Sequence, residues 1–405
     1  MADDRGALFD DPWRGANPLD PAFRADPYPA LNRLREVDPV SETPIGIWRI
    51  CRYRDCVAML RQHPTGVRTS EGILPGVDES DLENQRNFML QQDPPTHTRL
   101  RKLVSRAFTP RAVGRLGPSI EKVVAECLDG AADGESMDVI ADLALPVPAT
   151  VICEMLGVPI ADRDLFTRWT SEATHGLAAQ IAPPEVLARA REAGLALAGY
   201  FEELIAERRA SLGDDILSGM IRAEEEGDRL SHPELVSQSI GLLIAGFETT
   251  IGLIGNGVRQ LLLHPDQLAR LRSDPSLIDS AVEECLRFDG PIGLTQRIVH
   301  EDVSIGGKII PKDSPVFVLL AAANRDPDPF DDPEAFDIGR DPNPHLGFGG
   351  GAHLCLGAHL ARMETRVAIG RLVERFPRLE LESETVEWGP SLFRVPALLP
   401  VAIGS

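Results

Sequence analysis

The chain has only six cysteines in 405 residues, and no two of them form a C-x-x-C pair. Zinc-type spacing is absent, which excludes a cysteine-built structural zinc site. A basic excess is absent too: 62 Asp and Glu oppose 41 Lys and Arg, a formal net charge of −21. Nucleic-acid binders carry a basic footprint, so that class is set aside. No run reaches the ~18 uncharged apolar residues that a membrane span requires, so no membrane anchor is expected. The opening Met-Ala-Asp-Asp-Arg-Gly-Ala-Leu has acids where a signal peptide needs a basic start and an apolar run. Internal repeats and Gly/Ser-rich linkers are missing. Sparse cysteine in a long chain fits a reducing compartment, and a cytoplasmic location is expected.

What is present is an ordinary globular composition, 43% hydrophobic and 25% charged. Residues 1–30 are rich in Pro, Asp and Gly and read as a surface arm. A short strand is expected over 45–51. The period is mainly helical from 94 to about 286. Residues 296–319 carry β-branched side chains, Gly306-Gly307 and Pro311, which reads as short strands with tight turns. Residues 324–344 are crowded with Asp, Pro and Asn; so long an irregular stretch needs a functional reason. A last helix is expected from about 355 to 376 and a strand over 396–403, which makes 296–319 and 379–403 the β-rich parts. Length alone suggests two or three domains. The motifs below, however, run from position 97 to 355, and any cut would divide them. One domain over 1–405, mainly α with a minor β part, is the expectation.

The strongest motif is Phe348-Gly349-Gly350-Gly351-Ala352-His353-Leu354-Cys355-Leu356-Gly357. Glycines let a backbone approach a flat ligand closely. A cysteine at a helix N-terminus has its thiolate favoured. Read alone, the run is either such a ligand site or a glycine-rich turn with an inert cysteine. A phosphate loop fails, because Gly347 and Gly349 are followed by Ala352 and no strand precedes them.

A second motif breaks a long apolar helix expected over 234–263, roughly 45 Å long at 1.5 Å per residue. In its middle stands Ala245-Gly246-Phe247-Glu248-Thr249-Thr250. Buried acid and hydroxyl groups are costly without partners. The Thr249 hydroxyl can bond the Ala245 carbonyl and bend the helix, opening a groove beside Gly246. A water-filled kink is the bland alternative. Two pairs at helical spacing complete the set: Glu284 with Arg287, and His97 with Arg101, the latter after Asp93-Pro94-Pro95.

These runs together resemble the cytochrome P450 family. Positions 348–357 match its haem-binding signature Phe-x-x-Gly-x-His-x-Cys-x-Gly at every defined residue, and positions 245–250 match its oxygen-activation motif. The resemblance extends from about Asp93 to the end. It implies the triangular P450 fold, haem b as cofactor, and Cys355 as axial ligand of the iron. It implies that Glu248 and Thr249 deliver protons. It places His97, Arg101, Arg297 and His353 on the haem propionates, with Ala245, Gly246, Phe348, Gly349 and Gly357 also against the cofactor. Glu284 and Arg287, with Arg340 of Phe336-Asp337-Ile338-Gly339-Arg340, would form a structural ionic triad behind the cysteine loop. Substrate contacts would come from Met89 and Leu90; Gly241, Ile244 and Ala245; Ile292, Gly293, Leu294 and Thr295; and Leu392 with Phe393. Arg394-Val395 departs from the family's frequent Arg-Gly, which leaves the turn before it open.

The implied reaction inserts one oxygen atom from O₂ into a hydrophobic small molecule of fatty-acid, terpenoid, steroid or polyketide type. Electrons would come from a separate ferredoxin or flavodoxin with its reductase. Between Asp93 and Glu121 there is no acid, but Arg99, Arg101, Lys102, Arg106, Arg111 and Arg115 occur. Arg99, Lys102, Arg106 and Arg111 are the expected docking face for that partner. A peroxide-driven haem enzyme, a haem gas sensor and a chain without haem remain alternatives at this point.

Overall fold

The computed structural model describes residues 13, 15–17, 20–74, 87–105, 108–178, 183–213, 215–225, 230–389, 391 and 393–404. Arg106, Leu392 and most of residues 1–19 lie outside them. The chain is 58% helix and 10% strand, mainly α with a minor β part. It divides into two compact units, each made of separated stretches.

One unit comprises residues 1–75, 256–355 and 381–399. Its sheet is built around the strand Pro315–Val318. That strand pairs in parallel with Trp48–Ile50 and antiparallel with Thr295–Val299; Val40–Glu42 and Thr65–Gly66 complete the order at the two edges. Side chains alternate across a strand. Val316 and Val318 therefore face a core with Met59, Leu60, Val299 and Ile310, while Phe317 faces a second core with Leu31, Leu34 and Ile47. Both faces are dry, which is why the central strand is apolar throughout. A hairpin of Val303–Ile305 with Lys308–Ile310 turns at Gly306 and Gly307, both at positive φ. The strand expected over 45–51 is shorter, Trp48–Ile50, and its partner Val40–Glu42 carried no alternating apolar signal long enough to see. Within the expected surface arm, Pro21–Ala25 is helical and Tyr28–Val37 begins a second helix.

The other unit comprises residues 76–255, 356–380 and 400–405. It is helical apart from the sheet of Ser136–Asp138, Pro400–Gly404 and Arg378–Leu381. The helices Arg163–Thr174 and Pro184–Ala210 pack through edge-on contacts of Phe166 with Tyr200 and Phe201. The long central helix runs His232–Leu263. By length and composition it could cross a membrane, but 67% of its most apolar stretch is buried, as in a core helix.

A buried carboxylate holds the first unit's C-terminal turn. Asp289 has no solvent exposure and ends the helix Ile278–Asp289. Its oxygens accept from Tyr28 Oη and Arg394 Nε, both at 2.6 Å, and from Gln260 Nε2 at 2.8 Å. Asn256 Nδ2 donates to the carbonyls of Asp289 and Arg394 at 3.0 and 2.8 Å. The Arg394 guanidinium also lies over Trp388 at 3.5 Å. Burial alone would raise the Asp289 pKa. The Arg394 charge and the three donors outweigh burial and hold it below the usual aspartate range.

Removing the cation should leave that carboxylate stranded. Arg394→Met is expected to lower unfolding stability by about 3–5 kcal/mol in urea titration. The sign with pH follows from the lowered native pKa. The contribution is complete above the ordinary aspartate value of about 3.9 and is lost as pH falls through the native one. The Tm gap between the native chain and Asp289→Asn should hold from pH 7 to about pH 4 and narrow below. A gap that widens on acidification contradicts this account.

Candidate active site

Cys355 stands three residues ahead of the helix Ala358–Arg375, whose N-cap is Gly357, rather than at its first turn as expected. Its backbone N–H donates to the Phe348 carbonyl at 3.0 Å, which closes the glycine run into a loop. Gly349 and Gly351 take φ of +71° and +67°, a region open to glycine and costly for other residues. Gly351 also lies so close to the Leu60 carbonyl that no β-carbon fits. Beside Gly349 the space is open. The loop is thus pressed on one side against the helix Tyr53–Arg61 and free on the other.

Exposure separates the six thiols. Cys355 is exposed, Cys127 is half-buried, and Cys51, Cys56, Cys153 and Cys285 are buried. Burial pushes Cys51 up to about 12 and Cys127 and Cys153 up to about 11; Cys56 and Cys285 are also raised by burial. A metal takes the thiolate, so these five are poor ligands and Cys355 is the fitting one.

The loop is held from behind. Glu284 and Arg287 have fully buried side chains. Arg287 Nε and Nη2 donate to Glu284 at 2.8 and 2.7 Å, and Arg340 Nε reaches both carboxylate oxygens at 3.3 Å. Glu284 also accepts from the Asp337 N–H at 2.9 Å and Asn343 Nδ2 at 3.2 Å. The spare N–H groups of Arg287 bond the carbonyls of Asn324, Pro333 and Ala335. Asn324 Oδ1 accepts from the Leu346 N–H at 2.7 Å, and Leu346 is buried in the sheet's core. His345 bonds Glu283 at 2.9 Å and stands 6.2 Å from the Phe348 ring. Asn324, Asn343, His345 and Glu283 went unnoticed in the sequence. Asn343 and His345 stand just ahead of the glycine run, but a single Asn or His has no spacing signature.

Arg297 is buried on the strand Thr295–Val299 and donates to the Gln296 carbonyl at 2.7 Å and Thr295 Oγ1 at 3.2 Å. His353 closes a short 3₁₀ turn, Gly351–His353. In the second unit His97 and Arg101 share the helix Thr96–Ser105, His97 buried and Arg101 half-buried. Arg99, one of the expected docking residues, is partly exposed, and its guanidinium is paired with Glu234, Nη1 to Oε2 at 3.3 Å. Lys102, Arg111 and Arg115 are exposed.

In the central helix the threonine hydroxyls turn back onto the helix's own backbone. Thr249 Oγ1 donates to the Ala245 carbonyl at 2.8 Å and Thr250 Oγ1 to Gly246 at 3.0 Å. Ala245 is exposed and Ile244, Gly246, Glu248 and Thr249 are half-buried, in a helix whose flanking residues Leu243, Phe247 and Ile251 are buried. Surface therefore opens at mid-helix on that side.

The candidate substrate residues gather in two groups. Ile292, Gly293, Leu294 and Thr295 are half-buried, and the Arg394 N–H donates to Pro291 at 2.8 Å, which sets Phe393 beside them. In the other unit Met89 is buried and Leu90 exposed. Gly241 needs correction as a ligand contact: it is buried, and the Phe88 ring fills the place of its missing side chain.

Comparison with known proteins agrees with this geometry. The family model described as cytochrome P450 matches residues 61–391. The 6-deoxyerythronolide B hydroxylase of Saccharopolyspora erythraea is 41% identical, over 92% of this chain and 94% of that protein. The vitamin D(3) 25-hydroxylase of Pseudonocardia autotrophica is 42% identical, over 94% and 95%. The crystal structure of P450BioI with a hexadec-9Z-enoic acid ligated acyl carrier protein superposes with a TM-score of 0.88 at 38% identity, covering 95% of this chain and all of that one. A glycine-strapped exposed cysteine, a central helix whose threonine hydroxyls turn onto its own backbone and likeness along nearly the whole length converge: the chain belongs to the cytochrome P450 family of haem-thiolate oxidoreductases.

Proposed function

We propose that the chain is a monooxygenase that binds haem b through the Cys355 thiolate and oxidises a hydrophobic small molecule, acting as one catalytic domain over its whole length. The observation that carries this reading is the single exposed thiol, set in a loop with open space beside Gly349. Haem held by a thiolate supplies the activation of O₂ and the transfer of one oxygen atom to substrate. The protein's part is to bind, orient and manage protons. Cys355 gives its deprotonated sulfur. His97, Arg101, Arg297 and His353 supply N–H donors suited to the two carboxylates of haem. Phe348, Gly349 and Gly357 form the low wall of the loop, as Ala245 and Gly246 do on the helix. Thr249 Oγ1, now bonded to Ala245, is the hydroxyl that passes a proton, and the Glu248 carboxyl replenishes it.

Substrate contacts would come from Met89, Leu90, Ile244, Ala245, residues 292–295 and Phe393. They are apolar or uncharged, as a lipid-like or macrocyclic substrate requires. The relatives above carry names of a macrolide precursor, a secosteroid and a fatty acyl chain, which span that range. Free cysteines throughout suit a cytoplasmic setting. Electrons would arrive from an acidic ferredoxin or a flavodoxin at Lys102 and Arg111, with Arg115 beside them.

Three measurements test this. Reduced protein with carbon monoxide should show the red-shifted Soret band of a thiolate-ligated haem, and Cys355→His should abolish it. A mutant that keeps the band would place the ligand elsewhere. Thr249→Ala should keep that band but uncouple turnover, releasing hydrogen peroxide at the expense of product; unchanged coupling would reduce Thr249 to a kink residue. Charge reversal by Lys102→Glu or Arg111→Glu should slow reduction at low salt and matter less at high salt, because screening is effective beyond about 8 Å at physiological ionic strength. Salt dependence untouched by either reversal rules out docking there.

A further inference from the structure

Glu234, Gln238, Gly241 and Ala245 recur at four-, three- and four-residue steps along the central helix and so share one face. The first three all engage one stretch of chain, residues 87–99. Glu234 pairs with Arg99. Gln238 has no solvent exposure, and its amide is used at both ends: Oε1 accepts from the Met89 N–H at 3.2 Å, and Nε2 donates to the Asn87 carbonyl. At Gly241 a β-carbon would fall inside the Phe88 ring. Ala245, next along the same face, is the exposed residue that accepts the Thr249 hydroxyl.

Ahead of the helix Thr96–Ser105, the part of this stretch that Gln238 and Gly241 engage carries one regular element among the described residues, the 3₁₀ turn Met89–Gln91, and such turns have poor hydrogen-bond geometry of their own. A glycine inside a helix is unfavourable, so Gly241 answers a packing demand, and the demand is Phe88. We propose that Gln238 and Gly241 are specificity-determining positioning residues. They latch residues 87–90 onto the central helix one turn before Ala245, and so set how far Phe88, Met89 and Leu90 reach into the substrate's space. The proposal deepens the monooxygenase reading and rests on it for the word substrate; the latch itself does not depend on haem.

The test uses the holoenzyme with Gly241→Ala, Phe88→Ala, both together, and Gln238→Leu. Two readouts are taken: amide hydrogen exchange at residues 87–92, and the ratio of dissociation constants for myristic acid and testosterone, a flexible and a rigid probe, followed by the Soret shift. Gly241→Ala should speed exchange about tenfold and move the probe ratio about fivefold. In the Phe88→Ala background the same change should do neither, because the clash is gone. Gln238→Leu should speed exchange by a similar factor without a clash being introduced, and it serves if Gly241→Ala folds poorly. Equal effects of Gly241→Ala with and without Phe88 would overturn the latch, as would exchange that ignores both single variants. A carbon monoxide spectrum on the native chain keeps the readings apart. If the thiolate band is missing the monooxygenase reading fails, while the exchange measurements still decide the latch.

Discussion

Glu284 carries a carboxylate into a place with no water, and such a group must find all its partners within the protein. It finds them in Arg287, Arg340, Asn343 and the Asp337 backbone. The consequence reaches further than the pair itself. Two guanidiniums have more N–H groups than one carboxylate can accept, and the surplus goes to the carbonyls of Asn324, Asp331, Asp332, Pro333 and Ala335. A stretch with too little helix or strand to satisfy its own backbone is satisfied by side chains instead. The Asp- and Pro-rich meander is therefore rigid because Glu284 is buried, and the cysteine loop that leaves it at Leu346 inherits a fixed start.

The same helix repeats the device five residues later. Asp289 is buried with Arg394, Tyr28 and Gln260. Five residues at 100° each put the two carboxylates on well-separated faces of Ile278–Asp289. One face fastens the meander and the other fastens the C-terminal turn with Phe393. Neither pair needs to be a net source of stability to be retained, since buried ion pairs often gain little over apolar packing. Their contribution here is geometric: they fix two loops that have no regular structure of their own.

These facts explain what could be read from the sequence. The cysteine loop, the acid-and-threonine run of the central helix and the Glu284–Arg287 pair are local in sequence, so their spacing is visible. The helix His232–Leu263 was legible within two residues because 32 residues of apolar period leave little ambiguity. Contacts made across long separations were not legible. Asp289 meets Tyr28 across 261 residues and Arg394 across 105. Gln238 meets Met89 across 149. Gly241, which the family resemblance sets among the substrate contacts, has the room beside it filled by Phe88, a residue far away in the chain. The pairing of Arg99 with Glu234 was out of reach in the same way, since it spans 135 residues. The strand Val40–Glu42 was hidden because three residues carry no period.

The central helix must meet two opposed demands. It has to be apolar enough to remain in the core and, on the proposed function, polar enough at one point to handle protons. Ile254 and Leu253 are almost fully buried and Phe247 and Ile251 nearly so, which secures the first demand. Acid and hydroxyl groups secure the second, but each would be costly if left to the core. Thr249 and Thr250 avoid that cost by turning their hydroxyls back onto carbonyls one turn earlier. The second of these bonds ends on the Gly246 carbonyl, and the helix runs on without interruption from His232 to Leu263. Glu248 and Thr249, half-buried, stand one turn on from the exposed Ala245, whereas Thr250 is buried. The hydrogen-bond ladder of the helix is thus kept, while its acid and one hydroxyl stay on the partly exposed side.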